Sequence, residues 1–217
     1  MTTVGGRSTI GALVAVTGWR VALAAVAWYG FAKAMHGIPD NIVYFSQLST
    51  LAVAVVASVA TFSPLWNGGR IEGNAGFLRG GAVTYATVTM LVFNFVMQGG
   101  LDTAGSRIEH LVVPLMAIAD WLVVGHNQGR VRAWVPLLWL VPVAAYLPLY
   151  VGESHRRGHS LYGFLDPADT DFVGWVVGLL VAFAALGYLY WGLGRARRAL
   201  LSPPNRAVTE PAVPSPS

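Results

Sequence analysis

Apolar runs of about twenty residues, each long enough to cross a ~30 Å hydrocarbon layer as a helix, alternate along this chain with short polar connections. Six such runs stand out: Ile10–Met35, then residues 42–65, 78–98, 107–125, 134–151 and 172–193. The first begins nearer Thr17 if Arg20 lies at the headgroup level. The connections are short except for residues 152–171, and no internal repeat is visible. The pattern predicts an all-α polytopic membrane protein, a bundle of six transmembrane helices over residues 1–200. Residues 201–217, rich in Pro and Ser, read as a disordered cytoplasmic tail. With Arg7 ahead of it and small residues at Ala25 and Ala27 or at Ala32 and Ala34, the first run has parts of a cleaved signal peptide. It is longer than the usual apolar core of such peptides, so it is expected to be a retained span.

Composition agrees. Of 217 residues, 55% are hydrophobic and only 11% charged, against about 25% in soluble domains. Cysteine is absent, which excludes disulfides and thiolate metal sites. The net charge of +4 comes from basic residues at helix ends and in the tail, so no nucleic-acid partner is expected. Ten Lys and Arg residues fall on the side of the termini and the second–third and fourth–fifth loops, against four on the other side. The positive-inside rule then puts both termini in the cytoplasm of a cell-membrane protein. Seven of the ten acidic residues lie on or near the outer side.

Polar residues inside the spans carry the chemical information, because ionisable groups at membrane depth need a partner, a cavity or a site. The fourth span holds Glu109, His110 and Asp120. His110 lies ~5 Å below the outer end of its helix, and Ser46 in the second span lies ~6 Å below its own. Ser46, Ser49 and Thr50 share one helix face by their spacing, as do Asn94 with Gln98 and Tyr146 with Tyr150. Four helices thus bring hydroxyls, amides and an imidazole to one outer layer. A hydroxyl activated by His is a nucleophile, and Ser49, Thr50, Asn94, Gln98 and Tyr146 are pocket or oxyanion candidates beside it. Spacing alone leaves a second account open, in which these groups are interhelical hydrogen-bond donors.

Other polar residues point elsewhere. Asp120, in the inner half of its span, is expected to form a structural ion pair with Arg20 or Arg79. Glu109 cannot face its neighbour His110 on a regular helix. Asp166 and Asp171 are better placed to orient His110, or are simply solvated. His155 and His159, with Arg156 and Arg157, read as a loop touching lipid headgroups, and one intramembrane His is too few for zinc or paired haem ligation. No metal or organic cofactor is expected. Pro136, Pro142 and Pro148 predict a kinked fifth span. The Gly-Gly pairs lack the Lys-Ser/Thr of a phosphate loop, and no Gly-x-Ser-x-Gly elbow occurs.

Several stretches resemble a known group. Tyr44-Phe45-Ser46-Gln47-Leu48-Ser49-Thr50-Leu51 is similar to the second-span motif of a predicted six-transmembrane family of actinobacterial proteins, where Phe-Thr precedes two variable residues, Ser or Thr, Asn and Leu. His110 to Pro114, continuing through Ala119-Asp120-Trp121, resembles that family's fourth-span motif. Tyr162-Gly163-Phe164-Leu165-Asp166-Pro167 resembles its Tyr-Pro-Phe-Leu-Asp-Pro loop, and Leu78-Arg79-Gly80 its third span. The resemblance covers about residues 15–190. That family is itself similar to the androgen-induced gene product family, six-span hydrolases of fatty acid esters of hydroxy fatty acids with a catalytic Thr and His. By position the resemblance places the Thr on Ser46 and the His on His110. Two positions depart from it: Ser46 stands where the family has Thr, and Thr50 where it has Asn, which makes Thr50 a competing nucleophile.

The expected function is therefore hydrolysis of a lipid (fatty acid) ester in the outer leaflet by a Ser/Thr nucleophile, Ser46, and a His base, His110. Membrane lipids and a lipid ester substrate are the expected partners. A non-catalytic lipid-binding or scaffold protein is the alternative. A small transporter is disfavoured, because the charged groups do not line a path through the midplane.

Overall fold

The computed structural model describes residues 10–35, 39–71, 73 and 76–201. The expected tail beyond Leu201, and Arg7, lie outside the described residues. Helices α1 (Ile10–Met35) and α2 (Phe45–Trp66) are followed by α3 (Gly76–Leu91), which runs on through a π-helical turn at Val92–Val96. One turn of α4 (Ala104–Arg107) passes through a second π-helical turn, Ile108–Val112, into α5 (Val113–Val123). The chain ends in α6 (Val135–Leu138), α7 (Leu140–Arg157) and α8 (Phe172–Leu201). These elements make six rods, and no strand occurs among the described residues.

Five rods are long and apolar enough to cross a membrane. The sixth, α4 through α5, is of similar length but carries Arg107, Glu109 and Asp120, the last two of them buried. Large apolar side chains cover the outside of the bundle, among them Val14, Phe62, Val141 and Val181. This is a multi-pass helical membrane protein whose lipid-facing surface is apolar.

Three boundaries differ from the sequence pattern for physical reasons. The second rod starts at Phe45 rather than residue 42, because Pro39–Val43 form a 3-10 turn and Tyr44 is extended. The fifth rod breaks at Trp139, three residues before Pro142, whose missing N–H leaves the Leu138 carbonyl without its helical donor. The last helix runs to Leu201 instead of 193. Its final turns are tied down by Arg197, which donates to the Val123 and Gly125 carbonyls, and by Arg198, which donates to that of Gly129 at 3.1 Å.

Helix α3 is the centre of the bundle. It packs on α2, α5, α6 and α8, and 61% of its span is buried against 11% for α8. The α1–α2 and α2–α3 contacts run through small residues, Ala24, Ala27, Ala54, Ala57, Ala82 and Ala86, which let the backbones approach closely. Gly80 is required by close approach, since a Cβ there would lie 2.2 Å from the Trp139 ring. That indole is fixed in turn by a hydrogen bond to the Phe77 carbonyl at 2.8 Å.

The two ends of the bundle differ. At one end, called here the arginine end, Arg79 is 5% exposed and Asp120 7%. Arg79 Nη2 lies 2.7 Å from Asp120 Oδ2, and Arg20 Nε lies 3.9 Å from Asp120 Oδ1. Arg79 also donates to Asn127 Oδ1 at 2.6 Å and to the Val124 carbonyl at 2.8 Å, while Arg20 donates to the Ile71 carbonyl at 2.8 Å. At the other end, the pocket end, the segment after α7 folds back as a cap. Gly158 (φ 70°) turns the chain out of α7 in the left-handed conformation that favours glycine. Leu161 and Leu165 then bury against Tyr150, whose hydroxyl bonds to Ser160 Oγ at 2.8 Å and to the Leu165 carbonyl.

Candidate functional site

Proline 114 shapes the site. It has no N–H to donate to the carbonyl of His110, four residues earlier, and its ring crowds that carbonyl. The helix widens there into the π turn Ile108–Val112, closed by the Val113 N–H on the Ile108 carbonyl. The freed His110 carbonyl accepts from Asn94 Nδ2 at 3.2 Å, and Asn94 sits in the other π turn, on α3. Single π turns inside α-helices recur at functional sites because they re-aim side chains. Here both turns face one cavity.

That cavity, about 600 Å³, lies at the pocket end. Its lining includes the polar side chains of Ser46 and Gln47 from α2, Thr89 from α3, and Glu109 and His110 from the second π turn. Helices α7 and α8 contribute apolar lining, Val143, Leu147, Val176, Leu179 and Phe183. Tyr162 and Phe164 of the capping segment close the end. Its size is in the usual range for a small-molecule site.

The imidazole of His110 is held in two ways. It stacks on Phe93 with centroids 3.5 Å apart and planes within 8°. Its Nδ1 lies 3.1 Å from the Ser106 carbonyl. A carbonyl only accepts, so Nδ1 carries the proton and Nε2 is the basic nitrogen. Ser46, half-buried as the second residue of α2, lines the same cavity, and no hydrogen bond joins it to His110. The Ser106 hydroxyl lies 3.5 Å from Nδ1, but it donates to the Gly100 carbonyl at 2.7 Å.

Helix α2 begins without a side-chain cap of its own. Tyr162, 117 residues later, takes that part, its hydroxyl accepting from the Phe45 N–H at 2.8 Å. Burial pushes this phenol up to about 12. Tyr146 donates to the Val43 carbonyl at 2.8 Å and lines the cavity. Together the two tyrosines fix the approach to Ser46.

The remaining sequence candidates have other places. Ser49 Oγ donates to the Ser46 carbonyl at 2.8 Å and pairs with Thr89 Oγ1 at 2.9 Å, which leaves it inside the helix contact. Thr50 is 1% exposed and lies outside the cavity lining. Asn94 uses its amide nitrogen on the Met90 and His110 carbonyls, so it positions the π turn rather than facing the cavity. Gln98 is exposed, in a left-handed conformation (φ 49°) at the end of the α3 rod. Asp166 accepts from the Ala168 N–H in its own turn, and neither it nor Asp171 bonds to His110. Among the described residues, no three His, Asp or Glu side chains gather as metal ligands.

Sequence reasoning missed Phe93, the π turns and the pairing of Gln47 with Glu109. Gln47 Nε2 donates to Glu109 Oε2 at 2.9 Å, and both residues line the cavity. The available signal was Pro114, four residues after His110. In comparisons with family models, curated proteins and solved structures, nothing matches this chain.

Proposed function

We propose that the protein is a lipid ester hydrolase of the cell membrane, with Ser46 as nucleophile and His110 as general base. The observation that carries this reading is a cavity lined by both Ser46 and His110 together with apolar side chains of α7 and α8. In this reading an acyl chain lies along the apolar side chains of α7 and α8 and its ester carbonyl meets Ser46. His110 Nε2 takes the Ser46 proton as the hydroxyl oxygen attacks the carbonyl carbon. The positive N-terminal end of α2 stabilises the oxyanion. The alcohol leaves with the proton from Nε2, and water, deprotonated by the same nitrogen, releases the fatty acid and restores Ser46. The similarity of residues 44–51 and 110–121 to the six-span families described above supports the same assignment.

The second reading, a non-catalytic lipid-binding protein, is favoured by the missing Ser46–His110 hydrogen bond, although catalytic contacts often tighten only when substrate is bound. Turnover of long-chain esters by the purified protein decides between them. Loss of turnover in Ser46→Ala and His110→Ala, with both variants folded, supports the hydrolase. Absence of turnover in the unmodified protein leaves lipid binding.

The ten-to-four distribution of basic residues supports cytoplasmic termini and a cavity toward the outer leaflet. Reporter fusions after Gly129 and after His159 test this, with cytoplasmic and external signals expected in turn. A cytoplasmic signal after His159 reverses the orientation.

A further inference from the structure

The capping segment brings to the start of α2 a hydroxyl that the steps above leave unused. The Tyr162 ring stacks on Tyr150 with centroids 5.8 Å apart and planes within 14°, and meets Tyr44 edge-on at 5.9 Å. Its backbone is pinned by Ser160 Oγ, which accepts the Tyr162 N–H at 3.2 Å. Held in this way, the ring places its hydroxyl at the first turn of α2, where the oxygen accepts the Phe45 N–H at 2.8 Å. The Ser46 N–H, next along the helix, is directed at the same oxygen. Tyr162 also lines the cavity that Ser46 and His110 line.

These contacts use the oxygen of Tyr162 and not its proton. Burial holds the phenol up at about 12, so it is neutral at neutral pH and has that proton to donate. Tyr146, whose hydroxyl lies beside it, gives its own proton to the Val43 carbonyl at 2.8 Å, so toward Tyr162 it can only accept. A neutral phenol oxygen is a weak acceptor beside an oxyanion. A hydroxyl that accepts backbone N–H groups is in turn polarised as a donor. Because the Phe45 N–H is already bound to this oxygen, the positive end of α2 acts on the cavity through the Tyr162 hydroxyl.

Resting on the Ser46–His110 reading above, we propose that Tyr162 is a further catalytic residue, the hydrogen-bond donor to the oxyanion formed at Ser46. As Ser46 Oγ bonds to the carbonyl carbon, the carbonyl π pair moves onto its oxygen and His110 Nε2 takes the serine proton. Tyr162 donates a hydrogen bond to that oxygen and keeps its own proton. When the carbonyl re-forms, the alcohol leaves with the proton from Nε2. The bond is stronger to the anion than to the neutral ester, so it acts on kcat more than on KM.

The test compares two ketones on the purified full chain, with binding read by tryptophan fluorescence. Palmityl trifluoromethyl ketone takes up the Ser46 hydroxyl and forms a tetrahedral adduct bearing an oxyanion, whereas the methyl ketone of the same chain binds as a neutral carbonyl. Tyr162→Phe is expected to weaken the trifluoromethyl ketone about 10²-fold, the size of effect seen when an oxyanion donor is removed, and the methyl ketone hardly at all. For a palmitoyl ester, kcat should fall alongside with KM little changed. Loss of the α2 cap also disturbs this variant, so difluorotyrosine at position 162 separates the two roles. It keeps the oxygen and the ring but is a stronger donor and a weaker acceptor, and it should bind the trifluoromethyl ketone more tightly than the unmodified protein does. Unchanged or weaker binding there overturns the donor role and leaves Tyr162 as a cap. Equal weakening of both ketones in folded Tyr162→Phe overturns it as well, with Ser46 and His110 left standing. Absence of any preference for the trifluoromethyl ketone in the unmodified protein removes the hydrolase reading together with the donor. Where Tyr162→Phe fails to fold, the difluorotyrosine protein decides.

Discussion

The arginine end and the pocket end both bury polar groups at membrane depth, yet they do so in opposite ways. At the arginine end Arg79 reaches a carboxylate, an amide oxygen and backbone carbonyls, and Arg20 approaches the second oxygen of Asp120. The result is dense, and the adjoining void is about 20 Å³. At the pocket end the polar groups line about 600 Å³, and two of their oxygens have no donor. At the arginine end opposite charges meet directly and hold helices together, whereas at the pocket end polar side chains surround open space. The difference marks the pocket end, and not the arginine end, as the candidate site.

Substitutions at the two ends should separate in the same way. The largest effect is expected from Asp120→Asn, which strands Arg79 and Arg20 in the core at a cost of about 3–5 kcal/mol. Folded yield and melting temperature should fall steeply, while the folded fraction keeps its reactivity per molecule. Loss of reactivity at unchanged stability would erase the distinction between the ends. Gly80→Ala drives a methyl group into Trp139, and its overpacking should cost about 1–3 kcal/mol in a thermal melt. Tyr162→Phe removes the acceptor for the Phe45 N–H, worth about 1 kcal/mol. Faster hydrogen exchange confined to the first turn of α2 should report it.

Tyr162 also gives a pH expectation. Its phenol is held up at about 12 by burial, above the ordinary 10.0, because the ionised form is poorly solvated. Its contribution to stability is therefore intact below pH 10 and is lost as pH climbs through 12, when the unfolded chain ionises first. In Tyr162→Phe this portion of the alkaline loss should be absent. The smallest effect is expected from Thr50→Ala, because Thr50 is buried away from the cavity. Ester turnover near that of the unmodified protein is the expected result, and a large loss would move the nucleophile one helical turn along α2.

The fold was largely legible in the sequence because span length and apolarity are local properties of the chain. The fourth rod was the least regular, since Arg107, Glu109 and Asp120 dilute its hydropathy, and their burial against partners is a tertiary matter. The match between Asp120 and the basic residues at its depth was also readable, because opposite charges at one level of a membrane have few alternatives. The site was legible only in part. Depth brought Ser46 and His110 to one level, but helical spacing could not show that Asn94 braces a π turn or that Gln98 turns outward. The pairing of Gln47 with Glu109 joins positions 62 apart, and no periodicity reports it. Glu109 looked unable to share a face with its neighbour His110, because that judgement assumed a regular helix. The π turn set by Pro114 changes the angles, and both side chains reach the cavity.

The central claim is that Ser46 and His110 act together in this cavity. It is tested most directly by labelling the purified protein with a fluorophosphonate lipid probe and mapping the modified residue. The phosphonyl group is expected on Ser46, with labelling abolished in both Ser46→Ala and His110→Ala while each variant remains folded. The double variant should be little worse than either single one, because a nucleophile and its base act as one unit. Ser46→Thr should retain labelling, since it keeps the hydroxyl. Modification of Ser106 or Thr50 instead, or normal labelling of Ser46→Ala, would contradict the assignment.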